Sequence, residues 1–491
     1  MRYVLYALAV LAAVTAFMVY RTFRFTKKDG EDLPALDTSD RVPDQEIANH
    51  LAALIRCATV SNADPALVDW SEFDRLHRTL EELYPNVHRT MEKEIIGNHN
   101  LLFRWKGKDP AAKPIALLAH QDVVPIGDES AWTHGPFSGE DDGEVIWGRG
   151  ACDMKNHFTM VMDACERLIK KGYTPREDIY LCFGQNEEVG CVPAMTGADL
   201  IASTLKDRGI RLDLVLDEGG AIVGGQSLGI KQKFATVGVV EKGFADYRII
   251  APDEGGHSAR PPKHTGIGRL GVAAVKLEKA KKPLRMIPPV KELLLRVVPY
   301  MKNFPLRFLT ANMDILEGVL LRAISASPLM NAMVSTTYAL TQAQGSEQDN
   351  VLPKAAWLGV NSRILPGETV EGVRQFIEKT IDDPSLEVVC TKSHQVQNIS
   401  PHDTKGFALI TELTQKYYPG TLVTPYQQFG GTDSRQYYII CDNVYRFMPF
   451  YIGSASDELG AHNLDEHIPK DGLGRSVCWL MDFIREYEGE N

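Results

Sequence analysis

Hydrophobic and polar positions follow three different rhythms along the chain. Tyr3 to Tyr20, YVLYALAVLAAVTAFMVY, runs for eighteen positions without a charge, which predicts one helix about long enough to cross a bilayer. Arg2 precedes this run, and Arg21, Arg24, Lys27 and Lys28 follow it. Phe17, Met18 and Tyr20 stand where a cleaved signal peptide would carry small residues, so an uncleaved single-pass anchor is favoured over a leader. A polar stretch over 29–43 reads as a linker. Beyond it, Ile47, Leu51, Leu54 and Ile55 recur at helical spacing, as do Phe73, Leu76, Leu80 and Leu83.

A second rhythm then begins, in which short apolar runs alternate with helical patterns. The runs are Ile115 to Ala119, Ile179 to Phe183 and Leu212 to Leu216, with a helix expected from about Phe158 to Lys171. Such alternation predicts an α/β sheet packed by helices. Near Glu241 the character changes again, with strands expected over Ala245 to Ala251, Ala355 to Arg363 and Leu386 to Thr391. This is a smaller α+β domain inserted in the first. The boundaries read as an anchor with basic flank over 1–28, a linker over 29–43, a first domain over 44–240 and 398–491, and an inserted domain over 241–397. Within that insert, 282–340 is rich in Leu, Met, Val and Pro. Helices completing a lid or dimer surface are one reading of it, and a pocket wall or membrane-contacting surface is the other.

Composition narrows the class. With 53 basic against 64 acidic residues in 491, the net charge of −11 gives no footprint for nucleic acid. The eight cysteines include no CxxC pair, which argues against a zinc ribbon or a disulfide framework and leaves the redox compartment open. The heavier basic flank after the apolar run favours a cytoplasmic body by the positive-inside rule, and the side of the membrane stays open.

The candidate chemistry lies where apolar strands end. His120-Gln-Asp122 follows the first, Gly148-Arg-Gly-Ala-Cys-Asp153 a turn, Glu187-Glu188 the next strand, Asp217-Glu-Gly-Gly220 the third, and His462 the C-terminal stretch. Open α/β sheets place their sites at strand ends. His120, Asp153, Glu188, Asp217 and His462 supply the imidazoles and carboxylates that two divalent ions need, and zinc is the usual occupant of mixed nitrogen and oxygen sites. Glu187 is left over as a general base. Because neighbours on a strand diverge, a turn has to aim Glu187 and Glu188 inward together. Asp122 is expected to accept the second imidazole N–H of His120 and fix its tautomer.

This set resembles the co-catalytic di-zinc metallopeptidases of the carboxypeptidase S, aminoacylase and glutamate carboxypeptidase family. The likeness spans about Asp44 to Tyr487 and includes Gly148-Arg-Gly-Ala-Cys-Asp153-Met-Lys-Asn156, Gly256-His257-Ser258, Asn350-Val-Leu-Pro353, Arg363-Ile-Leu-Pro-Gly367 and Gly430-Gly-Thr-Asp433. It implies an α/β catalytic domain with a central mixed sheet, interrupted by a lid that often dimerises, and two zinc ions per subunit with Asp153 bridging. It further implies that His257 stabilises the oxyanion, reaching a neighbouring subunit's site where the lid dimerises, and that Asn350, Arg363, Gly430, Gly431 and Thr432 contact the substrate. Asn156 and the enlarged lid match the carboxypeptidase S branch. Gln185-Asn186, Ser258-Ala-Arg-Pro-Pro262 and the tail His462-Asn-Leu-Asp465-Glu466 depart from the pattern, and none removes a ligand.

The reading is a membrane-anchored zinc hydrolase that cleaves an amide next to a free carboxylate, as a carboxypeptidase on short peptides. The alternative is an N-fatty-acyl amino acid hydrolase or synthase. A catalytically silent binding module on the same scaffold would predict a broken ligand or base, and none is broken.

Overall fold

The computed structural model describes residues 2–25, 42–190, 197–453 and 459–487. The expected linker up to residue 41, the basic pair Lys27 and Lys28, and Cys191 lie outside the described residues. Helix α1 (Arg2–Arg24) covers the apolar run. Then come α2 (Asp44–Ile55) and α3 (Trp70–Leu83), the two amphipathic helices expected from their spacing. Asp69 caps α3 by accepting from the Ser71 amide at 3.0 Å.

The body is built on a nine-stranded mixed sheet. In chain order its elements are β1 (Glu92–Ile96), β2 (Asn100–Trp105), β3 (Ile115–His120), α4 (Lys155–Lys170), β4 (Ile179–Gly184), α5 (Ala198–Asp207), β5 (Leu214–Asp217), β6 (Ile222–Gly224) and β7 (Lys233–Glu241). A second sheet follows, formed by β8 (Gly243–Pro252), β9 (Thr337–Gln344), β10 (Ala355–Ile364) and β11 (Glu387–His394). Its helices are α6 (Gly266–Lys279) and α11 (Val370–Ile381), and the insertion adds α7 (Pro288–Val297), α8 (Phe304–Ala311), α9 (Met313–Ile324) and α10 (Pro328–Val334). The chain returns to the first sheet through α12 (Lys405–Tyr417), β12 (Leu422–Gln428), β13 (Val444–Arg446) and α13 (Leu473–Glu486).

The large sheet runs β1-β2-β4-β3-β5-β13-β7-β12, with β6 paired to β7. Strands β4, β3, β5 and β13 are parallel neighbours, so their C-terminal ends share one edge. Period-two alternation explains why these strands read as unbroken apolar runs. Ile115, Leu117 and Ala119 face the core formed with α2, α4 and α13, while Ala116 and Leu118 face the one formed with α5. Helix α4 begins three residues before the expected start, because Lys155, Asn156 and His157 are fully buried beneath the site. The Lys155 ammonium is held there by the carbonyls of Leu54, at 3.0 Å, and Cys57, at 2.5 Å.

The second sheet is wholly antiparallel, in the order β9-β10-β8-β11, and α6 and α11 pack on it around Tyr247, Ile249, Val360 and Ile377. The insertion has its own apolar core, centred on Val290, Leu294, Val297, Leu320 and Val334, and that core also touches Phe25, Leu422, Tyr426 and Phe429. The seven described cysteines are free thiols.

Candidate active site

The shared strand edge gathers an acidic cup. His120, the last residue of β3, is buried, and its Nε2 lies 3.1 Å from Asp153 and 3.5 Å from Glu218. His462 enters from the C-terminal stretch with a left-handed φ of 59°. Its Nε2 lies 3.1 Å from Asp153 Oδ2 and 3.1 Å from Glu188 Oε2. Asp153 therefore stands between the two imidazoles, one carboxylate oxygen toward each. Ligand atoms of His120, Asp153 and Glu188 fall within 4.8 Å of one another, as do those of His120, Glu187 and Glu218.

The local folding explains this convergence. Glu187 and Glu188 sit on a single 3-10 turn over Glu187–Val189, the turn that two adjacent inward-facing carboxylates require. Asp122 holds it: Oδ1 accepts the Glu187 amide at 3.0 Å and Oδ2 the Glu188 amide at 3.1 Å. The expected role of Asp122 toward His120 is carried mostly by its backbone, since His120 Nδ1 lies 2.9 Å from the Asp122 carbonyl and 3.5 Å from its carboxylate. Asp217, at the end of β5, is buried and belongs to neither ligand cluster. Its oxygens accept the amides of Glu218 at 2.9 Å and Ser434 at 2.8 Å, and the Glu218 carboxylate lies 3.5 Å from His120. Gly220 lets the chain turn away here, because a Cβ would lie 1.9 Å from the Thr236 carbonyl oxygen and 2.4 Å from that of Arg446.

Several supports have no local signature in the sequence. Glu466 is fully buried, pairs with Arg149 at 2.7 Å and accepts the amides of Gly150, Cys152 and Asp153 at 3.1, 2.8 and 3.0 Å. A carboxylate more than three hundred residues downstream thus shapes the turn that presents Asp153. Glu241 does the same for the glycine loop, accepting from Thr432 N at 3.0 Å, Thr432 Oγ1 at 2.7 Å and Arg446 Nε at 2.6 Å. A Cβ on Gly430 would meet none of the described residues within 4 Å, whereas one on Gly431 would meet the Arg435 guanidinium at 1.9 Å. Arg435 in turn lies 4.0 Å from Glu187 Oε1.

The electrostatics call for cations. Asp122, Asp153, Glu187, Glu188, Asp217, Glu218 and Asp433 crowd one another electrostatically around two histidines and Arg435. Burial pushes Glu187 well above the usual carboxylate range, and it takes Glu218 and Asp433 each up to about 8. Burial works the same way on Asp153, but hydrogen bonds to both imidazoles outweigh it and hold that carboxyl low. Asp153 and Glu188 push His462 up to about 10. Glu188 Oε1 is buried and, among the described residues, meets no hydrogen-bond donor. An orphaned carboxylate oxygen beside two imidazoles and a central aspartate fits a divalent metal site, and the donors suit zinc.

The residues expected from the second sheet are arranged differently. His257 and Asn350 are exposed and share one short ribbon, where His257 pairs with Val351 and the Ser258 amide donates to the Asn350 carbonyl at 3.0 Å. The Ala259 amide donates to His257 Nδ1 at 3.0 Å. Arg363, near the end of β10, is exposed against the Phe244 ring at 5.9 Å, and Lys392 approaches the same ring at 5.8 Å. Lys392 donates to the Val189 carbonyl at 3.5 Å, which brings this cationic corner next to the Glu187 turn.

A sequence model of peptidase family M20/M25/M40 matches residues 116–486. A probable carboxypeptidase S-like protein of Dictyostelium discoideum is 31% identical over 98% of this chain and 93% of its own. An N-fatty-acyl-amino acid synthase/hydrolase of Xenopus tropicalis is 31% identical over 99% of this chain and 94% of its own. Among solved structures, human carnosine dipeptidase 1 superposes with a TM-score of 0.62 at 14% identity, over 90% of this chain and 96% of that one.

Proposed function

The chain belongs to peptidase family M20/M25/M40, and we propose that it works as a zinc-dependent hydrolase of the amide bond beside a free carboxylate, a carboxypeptidase on short peptides. The observation that carries this is the convergence of His120, Asp153, Glu188 and His462 with Glu187 alongside. His120, Asp153, Glu188, Asp217 and His462 are the residues that would hold two zinc ions. Asp217 accepts one amide on each oxygen, which leaves it a lone pair for a metal. When bound, zinc supplies Lewis acidity to the scissile carbonyl and acidity to a water.

The chain's own groups do the rest. Glu187, 4.0 Å from the Arg435 guanidinium and aimed into the cup by Asp122, takes a proton from the attacking water. It then delivers that proton to the leaving amine. Arg363 grips the substrate carboxylate through its planar fork, Asn350 supports it, and the Gly430, Gly431 and Thr432 loop fixes the chain end. His257 donates to the oxyanion. Its exposure supports delivery across a homodimer built on the second sheet, with Asp122 as the residue that positions the base.

The N-fatty-acyl amino acid reading is favoured by a separate observation. Phe429, directly before Gly430, packs on the apolar core of the insertion together with Tyr426. That wall suits an acyl chain, and a hydrolase of such conjugates also runs toward synthesis. We further read Arg2–Arg24 as a membrane anchor, since it is the helix among the described residues long and apolar enough to cross a bilayer.

The test offers dipeptides and N-fatty-acyl amino acids side by side to the zinc-loaded full chain, with Glu187→Gln as control. Glu187-dependent cleavage of dipeptides supports the first reading, preferential fatty-acyl cleavage the second, and no Glu187-dependent hydrolysis of either contradicts both.

A further inference from the structure

Side chains 3–17 of α1 are exposed, yet its last two turns are built into the body. Met18 and Thr22 are buried. The Asn312 side-chain amide, fully buried between α8 and α9, donates to the Met18 carbonyl and to Thr22 Oγ1, both at 3.2 Å. Arg21 Nη1 meets both Asp314 carboxylate oxygens at 2.7 Å. Phe23 packs on Phe304 with ring centroids 5.9 Å apart, and Phe25 reaches the insertion core. A helix that merely tethered the body through a linker would need none of this. Buried polar groups are matched because leaving them unmatched is costly.

The length of the apolar run then fixes where the body sits. Tyr3 to Tyr20 rises about 27 Å, against a hydrocarbon core of about 30 Å. To cross at all, the run must be drawn in to its end, so the docked turn at Met18 and Arg21 stands at the lipid boundary rather than above it. Whatever is docked to that turn is carried down with it. Phe304 is 40% exposed beside Phe23, and Ile315 and Val319, which follow Asp314 on either side of a kink at Leu316 in α9, are 52% and 51% exposed. Tyr20 and Phe23 add exposed aromatic rings at the same level, as membrane boundaries favour.

We propose that α8 and α9 form a seat on the phospholipid bilayer: the insertion grips the last turns of the anchor and presses Phe304, Ile315 and Val319 into the interface. This rests on reading α1 as a membrane anchor. It makes the apolar insertion an orienting device that holds the acidic cup at a fixed height and attitude over the lipid. Glu317 lies between the two exposed aliphatic residues on α9 and Arg322 follows them, so the seat is shallow and belongs in the headgroup zone.

The test uses the full chain in phosphatidylcholine vesicles, with Ile315→Cys or Val319→Cys carrying an environment-sensitive nitrobenzoxadiazole label. Lys379→Cys on α11 is the remote control, and label on the unsubstituted chain is the blank. Sedimentation with the vesicles reports the anchor, and quenching by spin-labelled lipid reports the seat. The seat predicts blue-shifted emission at 315 and 319 that shallow-doxyl lipid quenches, with no quenching at 379. A chain that sediments with vesicles while its 315 and 319 labels stay red and unquenched overturns the seat and leaves the anchor standing. Blue-shifted, unquenched emission that grows with protein concentration assigns the patch to a second copy and overturns it equally. A chain that fails to sediment overturns the anchor reading and the seat with it.

Discussion

At the edge of the large sheet His120, Asp153, Glu187 and Glu188 are buried or half-buried and held by distant parts of the chain, with His462 exposed beside them, whereas His257 and Asn350 stand exposed on a short ribbon and Arg363 on the face of the second sheet. His120, Asp153 and Glu188 are fixed by strand ends, by the Asp122 carboxylate and by Glu466. His257, Asn350 and Arg363 have few partners of their own. The difference separates two tasks: chemistry that tolerates little misplacement is built into the core, and substrate contacts that must admit and release a ligand are placed on a separate sheet. Perturbations of the first should abolish metal or fold, and those of the second should shift substrate affinity.

The largest expected effect is at the centre of the cup. His120→Ala or Asp153→Ala should remove bound metal and bring turnover to background, checked by elemental analysis beside the rate, as should a chelator on the unaltered chain. Next is the support beneath Asp153. Glu466→Ala strands the buried Arg149 and should cost about 3–5 kcal/mol of stability by denaturant unfolding. The exposed Arg208 pair with Glu94 is the contrast, and Glu94→Ala should cost under about 1 kcal/mol.

Changes on the second sheet should act more mildly and on a different parameter. Arg363→Lys keeps the charge and loses the fork, so kcat/KM should fall about tenfold, mainly through KM, with metal content and unfolding unchanged. Smallest per step is a pH effect. Asp153 and Glu188 hold the metal-free His462 protonated up to about 10, and ligation requires the neutral ring. Raising pH from 6 to 8 eases that competition, so metal affinity should climb about tenfold per unit for each proton displaced, from His462 and from His120, which burial lowers but hydrogen bonds to Asp122, Asp153 and Glu218 hold well above its usual value. A flat profile in metal-buffered titrations would show that His462 gives up no proton.

How legible each part was follows from how local its cause is. Strands β3, β4 and β5 were readable because burial on both faces makes them unbroken apolar runs, and the ligand candidates directly follow them. The turn at Glu187 and Glu188 was required by strand geometry alone. What completes the cup was not readable in the same way. Glu466 sat in the tail only as a departure from a pattern, and its contact with Asp153 crosses more than three hundred residues. Arg435, Lys392 and Glu241 are ordinary charges in sequence that become functional neighbours through β7, β11 and the 3-10 turns. Glu218 reaches His120 as well, beside Asp217, whose carboxylate accepts the backbone amides of Glu218 and Ser434, and neither contact is readable from sequence. The docking of α1 was hidden for the same reason, since Thr22 and Asn312 are lone polar residues in apolar stretches.

The central claim is that Glu187 is the base and not a ligand. The measurement is the rate of Glu187→Gln on the preferred substrate, with its metal content determined in the same preparation. The account predicts full metal content and a rate lower by at least about 10²-fold. Near-normal turnover, or loss of metal along with the rate, would contradict it.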